Sequence, residues 1–203
     1  MTRIKLCGLK RPCDIEYANE LMPDFIGFVF APKSKRYVSF DEAKALKENL
    51  NSGITSVGVF VNEPTENIVK LTRSNIIDMI QLHGSEDNEY IKNLRSKVSC
   101  PIIQAFQIKD KQDIADANKS EADYILLDSG TGSGEVFNHS LIQDIKRDFF
   151  LAGGLDSENV MDAISKYKPY AVDASSSLET DGVKDKDKMT AFVKAVRNGG
   201  YKK

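Results

Sequence analysis

Between Ser56 and Leu82 the chain reads Ser-Val-Gly-Val-Phe-Val-Asn-Glu-Pro-Thr-Glu-Asn-Ile-Val-Lys-Leu-Thr-Arg-Ser-Asn-Ile-Ile-Asp-Met-Ile-Gln-Leu, and this stretch decides the fold. Its first run, Ser56 to Val61, is apolar at successive positions, as suits a strand covered on both faces. Glu63-Pro64 then stands before Ile68, Val69 and Leu71, a helical spacing with proline at the start. A second apolar run, Met79 to Leu82, completes a strand-helix-strand unit whose strands must lie parallel, joined by a right-handed crossover.

The same unit recurs in both directions. The other runs are Ile4 to Cys7, Phe25 to Phe30, Ile102 to Phe106, Tyr124 to Leu127, Asp148 to Ala152 and Tyr170 to Ala174. One residue from each of the eight, at 4, 26, 57, 79, 103, 125, 149 and 171, gives steps of 22, 31, 22, 24, 22, 24 and 22. Helix chemistry fills the gaps: Pro12 before Ile15 and Ala18, Ser39 before Asp41-Glu-Ala-Lys-Ala-Leu, Ser85-Glu86 before Tyr90, Lys109-Asp110 before Ile114, Asp156-Ser157 before Val160, and a closing helix over 185–196. The segment after Asn138 is short and carries a weaker helical pattern. Eight even units predict an eight-stranded parallel β/α barrel, with 1–203 as a single domain and at the lower end of the size range for that fold. A doubly wound open sheet is the competing architecture, but the dinucleotide glycine fingerprint is missing after the first run.

Composition excludes other classes. With 41% hydrophobic and 29% charged residues, the chain is too apolar for a disordered segment and too polar for a membrane bundle. A net charge of -2 argues against a nucleic-acid binder. The amino terminus lacks a signal-peptide core and no run approaches ~20 apolar residues, so a cytoplasmic protein with no membrane partner is expected. Cys7, Cys13 and Cys100 have neither zinc nor redox-pair spacing, and free thiols are expected. No His-Cys-Asp cluster suggests a metal site.

In a barrel the chemistry sits just past the carboxyl ends of the strands. That rule selects Cys7-Gly8, the basic stretch Lys33 to Arg36, Asn62, His83, Asp128, Gly153-Gly154, and Asp173 with Ser175, Ser176 and Ser177. Gly153-Gly154 alone reads as a tight turn and the serines alone as a cap. At adjacent strand ends they read together as a phosphate cup. Cys7 is either a small buried hydrophobe or a thiol tuned by Lys5, Lys10, Arg11 or a helix terminus. Asp128, a carboxylate ending a buried strand, is equally a cap or a catalytic group. His83 reads as a structural or pocket-lining group. Lys33 to Arg36 suits an anion if it faces the mouth. The alternating Lys184 to Lys188 reads as a solvated helix start.

Ile4-Lys-Leu-Cys-Gly-Leu-Lys-Arg-Pro, Ile26-Gly-Phe-Val-Phe-Ala-Pro-Lys-Ser-Lys-Arg-Tyr-Val-Ser, Val57-Gly-Val-Phe-Val-Asn, Gln81-Leu-His-Gly, Leu126-Leu-Asp, Leu151-Ala-Gly-Gly-Leu and Val172-Asp-Ala-Ser-Ser together resemble the phosphoribosylanthranilate isomerase family of tryptophan biosynthesis, from residue 3 to about residue 193. The resemblance implies an Amadori rearrangement of N-(5-phosphoribosyl)anthranilate to a 1-deoxyribulose 5-phosphate derivative, with no cofactor and a small phosphorylated substrate as partner. It implies Asp128 as general acid at the ring oxygen and Cys7 as general base at C2. It also implies Arg36 at the anthranilate end and Gly154 with Ser175 and Ser176 at the phosphate. His83, Gly153 and Asp173 complete the expected substrate-binding set. The acid requires burial away from cations and the thiol the opposite bias.

Two places depart from the family pattern. Asn138-His139 stand where an Asp-Trp pair is usual, and Ser177 takes a glycine position, at a cost of about 1 kcal/mol if its φ is positive. These departures motivate a ligand-binding barrel without turnover as an alternative. A sugar-phosphate isomerase or lyase of another pathway is a second alternative, which would not require Cys7 and Arg36 together. Monomer and homodimer are both open.

Overall fold

The computed structural model describes residues 1–128 and 142–199. Eight parallel strands close on themselves in the order β1 to β8: Arg3–Cys7, Phe25–Val29, Thr55–Phe60, Met79–Leu82, Ile102–Gln107, Tyr124–Asp128, Phe149–Ala152 and Ala171–Ala174. The last closes on the first, with Lys5 opposite Asp173 and Leu6 opposite Ala174. The helices between strands are α1 (Pro12–Leu21), α2 (Phe40–Glu48), α3 (Thr65–Arg73), α4 (Asn88–Arg95), α5 (Lys111–Lys119) and α6 (Val160–Tyr167), and α7 (Lys186–Gly199) ends the described chain. Before β7 the described residues hold a 3-10 turn, Ile142–Asp144, where the helical pattern was weak.

Local chemistry explains the elements. Pro12 occupies the first turn of α1. Ser39 and Glu42 form a reciprocal capping box on α2, and Asp110 does the same with Asp113 on α5. At α4 the cap is Asp87, which accepts from the Tyr90 amide, and not the expected Ser85-Glu86. Glu86 instead accepts from the Asn62 and Gly84 amides at 2.6 and 2.8 Å and joins the loops after β3 and β4.

Strand alternation sorts the core into two. Ile4, Leu6, Ile26, Phe28, Phe60, Ile80 and Leu82 face outward against the helices. Phe25, Val57, Met79, Ile103, Leu126, Phe150 and Ala171 fill the lower barrel. Phe150 stands 5.3 Å from Phe25, 5.8 Å from Tyr124 and 5.6 Å from Tyr170 between ring centroids, an aromatic floor in tilted and edge contacts. Above it Cys7, Val29 and Val59 mark the level at which the interior opens. None of the described helices is long and apolar enough to cross a membrane.

Candidate active site

The barrel mouth holds a cavity of about 430 Å³, and it gathers Cys7, Arg36, His83, Asp128, Gly153, Gly154, Asp173, Ser175, Ser176 and Ser177. All nine residues expected to form the site, and Ser177 beside them, therefore meet in one place. They do so because each follows, or ends, a strand of one parallel barrel. Lys33 and Lys35 of the basic stretch are exposed, whereas Arg36 turns inward.

Cys7 ends β1 on its inward face and is 8% exposed. Its sulfur sits where a side chain on β2 would be: a β-carbon on Gly27 would come within 2.6 Å of Sγ. The cations considered for this thiol separate cleanly. Lys10 donates to the Lys35 carbonyl and Arg11 pairs with Asp14, both outside the barrel mouth. Lys5, two residues before Cys7 on the same face, is fully buried and donates to Asp173 Oδ2 at 2.7 Å. Burial pushes the Cys7 thiol up, and Lys5 and Lys184 pull against it without fully offsetting it. The free protein thus favours the neutral thiol, the reverse of the bias expected from sequence.

Asp128 ends β6 across the mouth. Its side chain is 30% exposed. His83 Nε2 lies 3.7 Å from Asp128 Oδ2, and His83 Nδ1 lies 3.0 Å from Gln81 Nε2. A Gln81 amide that donates to Nδ1 leaves the proton of a neutral His83 on Nε2, facing Asp128. His83 is thereby aimed by β4 at the carboxylate.

The anionic end is built by a feature that the charge pattern concealed. Glu179–Thr180 (β9) pairs antiparallel with Val183–Lys184 (β10), which sets Glu179 opposite Lys184. Asp181 and Gly182 turn the hairpin with φ of 52° and 78°, as a type I′ turn requires. Lys184 is not the solvated residue expected: it is 4% exposed and donates to Glu179 at 2.7 Å and to the Ser175 carbonyl at 2.8 Å. Glu179 also accepts two bonds from Arg36, at 2.6 and 2.8 Å. Burial works against its charge, but the bonds from Arg36 and Lys184 outweigh this and hold its carboxyl below the ordinary range. Nε and one hydrogen of Nη2 are used in this fork, so the edge of the Arg36 guanidinium away from Glu179 is formed by Nη1 and the second Nη2 hydrogen. Gly8, at φ 81°, gives Arg36 its path, since a β-carbon there would overlap Arg36 Cδ.

Gly153 and Gly154 both take positive φ, 95° and 63°, which explains the glycine pair. Ser177 lies in the 3-10 turn Ser176–Leu178, does not take positive φ, and donates to the Leu155 carbonyl at 2.5 Å, so the anticipated strain is absent. The Ser175 hydroxyl donates to the Cys7 carbonyl at 3.0 Å and ties β8 to β1. Asn138 and His139 fall outside the described residues. Sequence reasoning named Lys5 only as one of several cations that could tune Cys7, and missed Gly27, Glu179 and Lys184 as parts of the site. Asp181-Gly182 between short alternating segments was the hairpin signal that would have brought in the last two.

Comparison with known proteins agrees with this arrangement. The family model for N-(5'-phosphoribosyl)anthranilate isomerase matches residues 4–195. The N-(5'-phosphoribosyl)anthranilate isomerase of Endomicrobium trichonymphae is 42% identical over 98% of this chain and 100% of its own. The crystal structure of phosphoribosyl anthranilate isomerase from Thermotoga maritima superimposes with a TM-score of 0.87 at 35% identity, covering 98% of this chain and 100% of that one. A phosphoribosyl anthranilate isomerase in complex with reduced 1-(o-carboxyphenylamino)-1-deoxyribulose 5-phosphate gives a TM-score of 0.85 at 34% identity, with coverage of 98% and 100%. With a strand-end thiol and a carboxylate lining one cavity, a family model that matches residues 4–195 and a relative 42% identical over nearly the full length of both chains fix the assignment: the chain belongs to the N-(5'-phosphoribosyl)anthranilate isomerase family.

Proposed function

We propose that Cys7 and Asp128 carry the two proton transfers of the isomerisation. The protein is an isomerase of tryptophan biosynthesis that converts N-(5'-phosphoribosyl)anthranilate to 1-(2-carboxyphenylamino)-1-deoxyribulose 5-phosphate. In the proposed sequence Asp128 donates its proton to the furanose oxygen, the C1–O bond breaks, and the nitrogen lone pair forms the C1=N Schiff base. The Cys7 thiolate then removes the C2 proton; the C2–H electron pair forms the C1=C2 bond of an enolamine as the C1=N π pair returns to nitrogen. This tautomerises to the ketone as C1 takes a proton and the C2 hydroxyl loses one, and the proton that Cys7 took offsets the one that Asp128 gave, so product and substrate have the same atoms. The observation that carries the reading is the placement of Cys7 and Asp128 on β1 and β6, both lining one cavity that an anion-binding end flanks.

The substrate's two anionic groups suit the two ends of that cavity. Arg36, held by Glu179, receives the anthranilate carboxylate, and the backbone at Gly153-Gly154 with Ser175 and Ser176 receives the phosphate. Holding both ends fixes the sugar carbons between thiol and carboxylate, which contributes several kcal/mol of positioning, on the order found for oriented reactants. Asp173 and His83 line the space between. The single barrel domain spans 1–203 in this reading, and the three free cysteines suit a cytoplasmic location.

The test is the loss of phosphoribosylanthranilate fluorescence with wild type, Cys7→Ser and Asp128→Asn. Each variant should lose on the order of 10²–10⁴ in kcat. A Cys7→Ser protein that turns over like wild type refutes the assignment of the base, and an unimpaired Asp128→Asn refutes that of the acid.

A further inference from the structure

Lys5 is an unusual occupant of a barrel interior. It has no exposure, it stands in the layer directly below Cys7 on β1, and its ammonium is 2.7 Å from Asp173 Oδ2 on the neighbouring strand. Asp173 has a second oxygen, Oδ1, that is buried and has no hydrogen-bond partner among the described residues. A buried ion pair is costly to build, and one whose carboxylate is half satisfied contributes less stability than apolar packing of the same volume. The location, under the thiol and at the cavity floor, supplies the reason that stability does not.

We propose that Lys5 is a positioning residue for the C2 proton transfer: its buried ammonium is the counter-charge of the Cys7 thiolate, and Asp173 competes with the thiolate for that ammonium. This rests on the reading of Cys7 as the base. When the thiol is neutral, Lys5 belongs to Asp173. When the thiolate forms, the ammonium is shared between the two anions that flank it, and no charge has to enter the barrel from solvent. Burial acts to lower the Lys5 ammonium, yet Asp173 and Cys7 together hold it above its ordinary value, so it stays charged through the working range.

The remaining charged groups around Cys7 are accounted for. Lys184 and Arg36 act on the thiol from above, but both are already bonded to Glu179. From β2 the neighbours are Gly27 and Val29, which do not titrate. Burial pushes the Asp173 carboxyl up, the 2.7 Å bond from Lys5 pulls it down, and His83 and Asp128 act on it from across the mouth with opposite signs. Lys5 is the cation whose partner, Asp173, also acts directly on Cys7.

The experiment measures the rate of iodoacetamide alkylation of Cys7 against pH, resolved by peptide mass spectrometry, in wild type, Lys5→Met and Asp173→Asn. Cys13 and Cys100, both partly exposed in the folded protein, are the internal controls for changes outside the cavity. Lys5→Met should displace the Cys7 profile to higher pH and Asp173→Asn to lower pH, each by about one unit, with the Cys13 and Cys100 profiles unchanged. A purely structural pair would move neither profile or both the same way, and either result overturns the proposal. If Lys5→Met does not fold, Asp173→Asn decides alone: an acid displacement supports the proposal and none refutes it. The readout needs no substrate. A displaced alkylation profile with an undisplaced pH profile of kcat/KM would keep Lys5 as counter-charge and instead remove Cys7 as the base.

Discussion

The two ends of this barrel are built from the same strands by opposite rules. At the lower end stand Phe25, Phe150, Tyr124 and Tyr170, aromatic rings in mutual contact, with the Arg3 guanidinium 4.3 Å from the Tyr170 ring centroid as the charge against them. At the upper end the next inward positions are Lys5, Cys7, Gln81, Asp128 and Asp173, and the hairpin β9–β10 adds Glu179 and Lys184. On β4 and β8 the step from floor to mouth is two residues, Met79 to Gln81 and Ala171 to Asp173, or roughly 7 Å. The contrast shows where stability and reactivity are kept apart: ring packing holds the barrel closed so that desolvated charges can be tolerated above it.

The sharpest test of that division removes the floor. Phe150→Ala should cost about 3–5 kcal/mol of stability, seen in denaturant unfolding, while the kcat of the folded fraction stays near wild type. A large loss of kcat at full folding would break the comparison. The mirror test removes Glu179. Glu179→Ala strands Lys184 and loosens Arg36, so KM should rise about tenfold or more, with a stability loss of about 2 kcal/mol because Arg36 is partly exposed. Next comes Gly27→Ala, which places a methyl on the Cys7 sulfur. It should lower kcat about tenfold or more with little change in KM, since a small displacement of a proton-transfer group is felt in the rate.

Acid separates the ends more gently. The Glu179 carboxyl is held below its ordinary value, so its contribution to stability is complete above the unfolded value of about 4.3 and disappears as pH falls through the lowered folded value. Melting temperature should therefore be level from about pH 7 to 5 and fall below about 4, and Glu179→Gln should flatten part of that fall. Activity behaves differently: with the Cys7 thiol pushed up by burial, kcat/KM should climb as pH rises through neutrality. The smallest effect lies outside both ends. Ser39→Ala removes the α2 cap and should cost about 1 kcal/mol in thermal unfolding with unchanged kinetics.

Much of the site was legible because barrels place chemistry at strand ends. Cys7, Asp128 and Gly153-Gly154 were found by counting apolar runs and reading the next residue. Arg36 was found within a basic stretch, but which of its cations turns inward was not readable from charge. Lys5 was one of three cations that the sequence set near Cys7, but a lysine inside an apolar run has no neighbour in the sequence to neutralise it. Its partner Asp173 is 168 residues away and arrives only when β8 closes on β1. Lys184 was misread for a related reason. Sign alternation from 184 to 188 describes a solvated helix surface, and Lys184 leaves that pattern because the β9–β10 turn folds it back over Glu179.

The amino-acid sequence by itself determined the periodic alternation of strand and helix, the caps of α2 and α5 and most of the residues that line the barrel mouth. Each of these follows from local propensity, burial periodicity and chain direction, which act over a few residues. Closure of the barrel decided the rest: which cation faces the thiol, which carboxylate holds Arg36, and how far Asp128 is withdrawn from water. Those are properties of distance and desolvation between residues far apart in the chain. A charge has no fixed strength until its neighbours and its exposure to solvent are set.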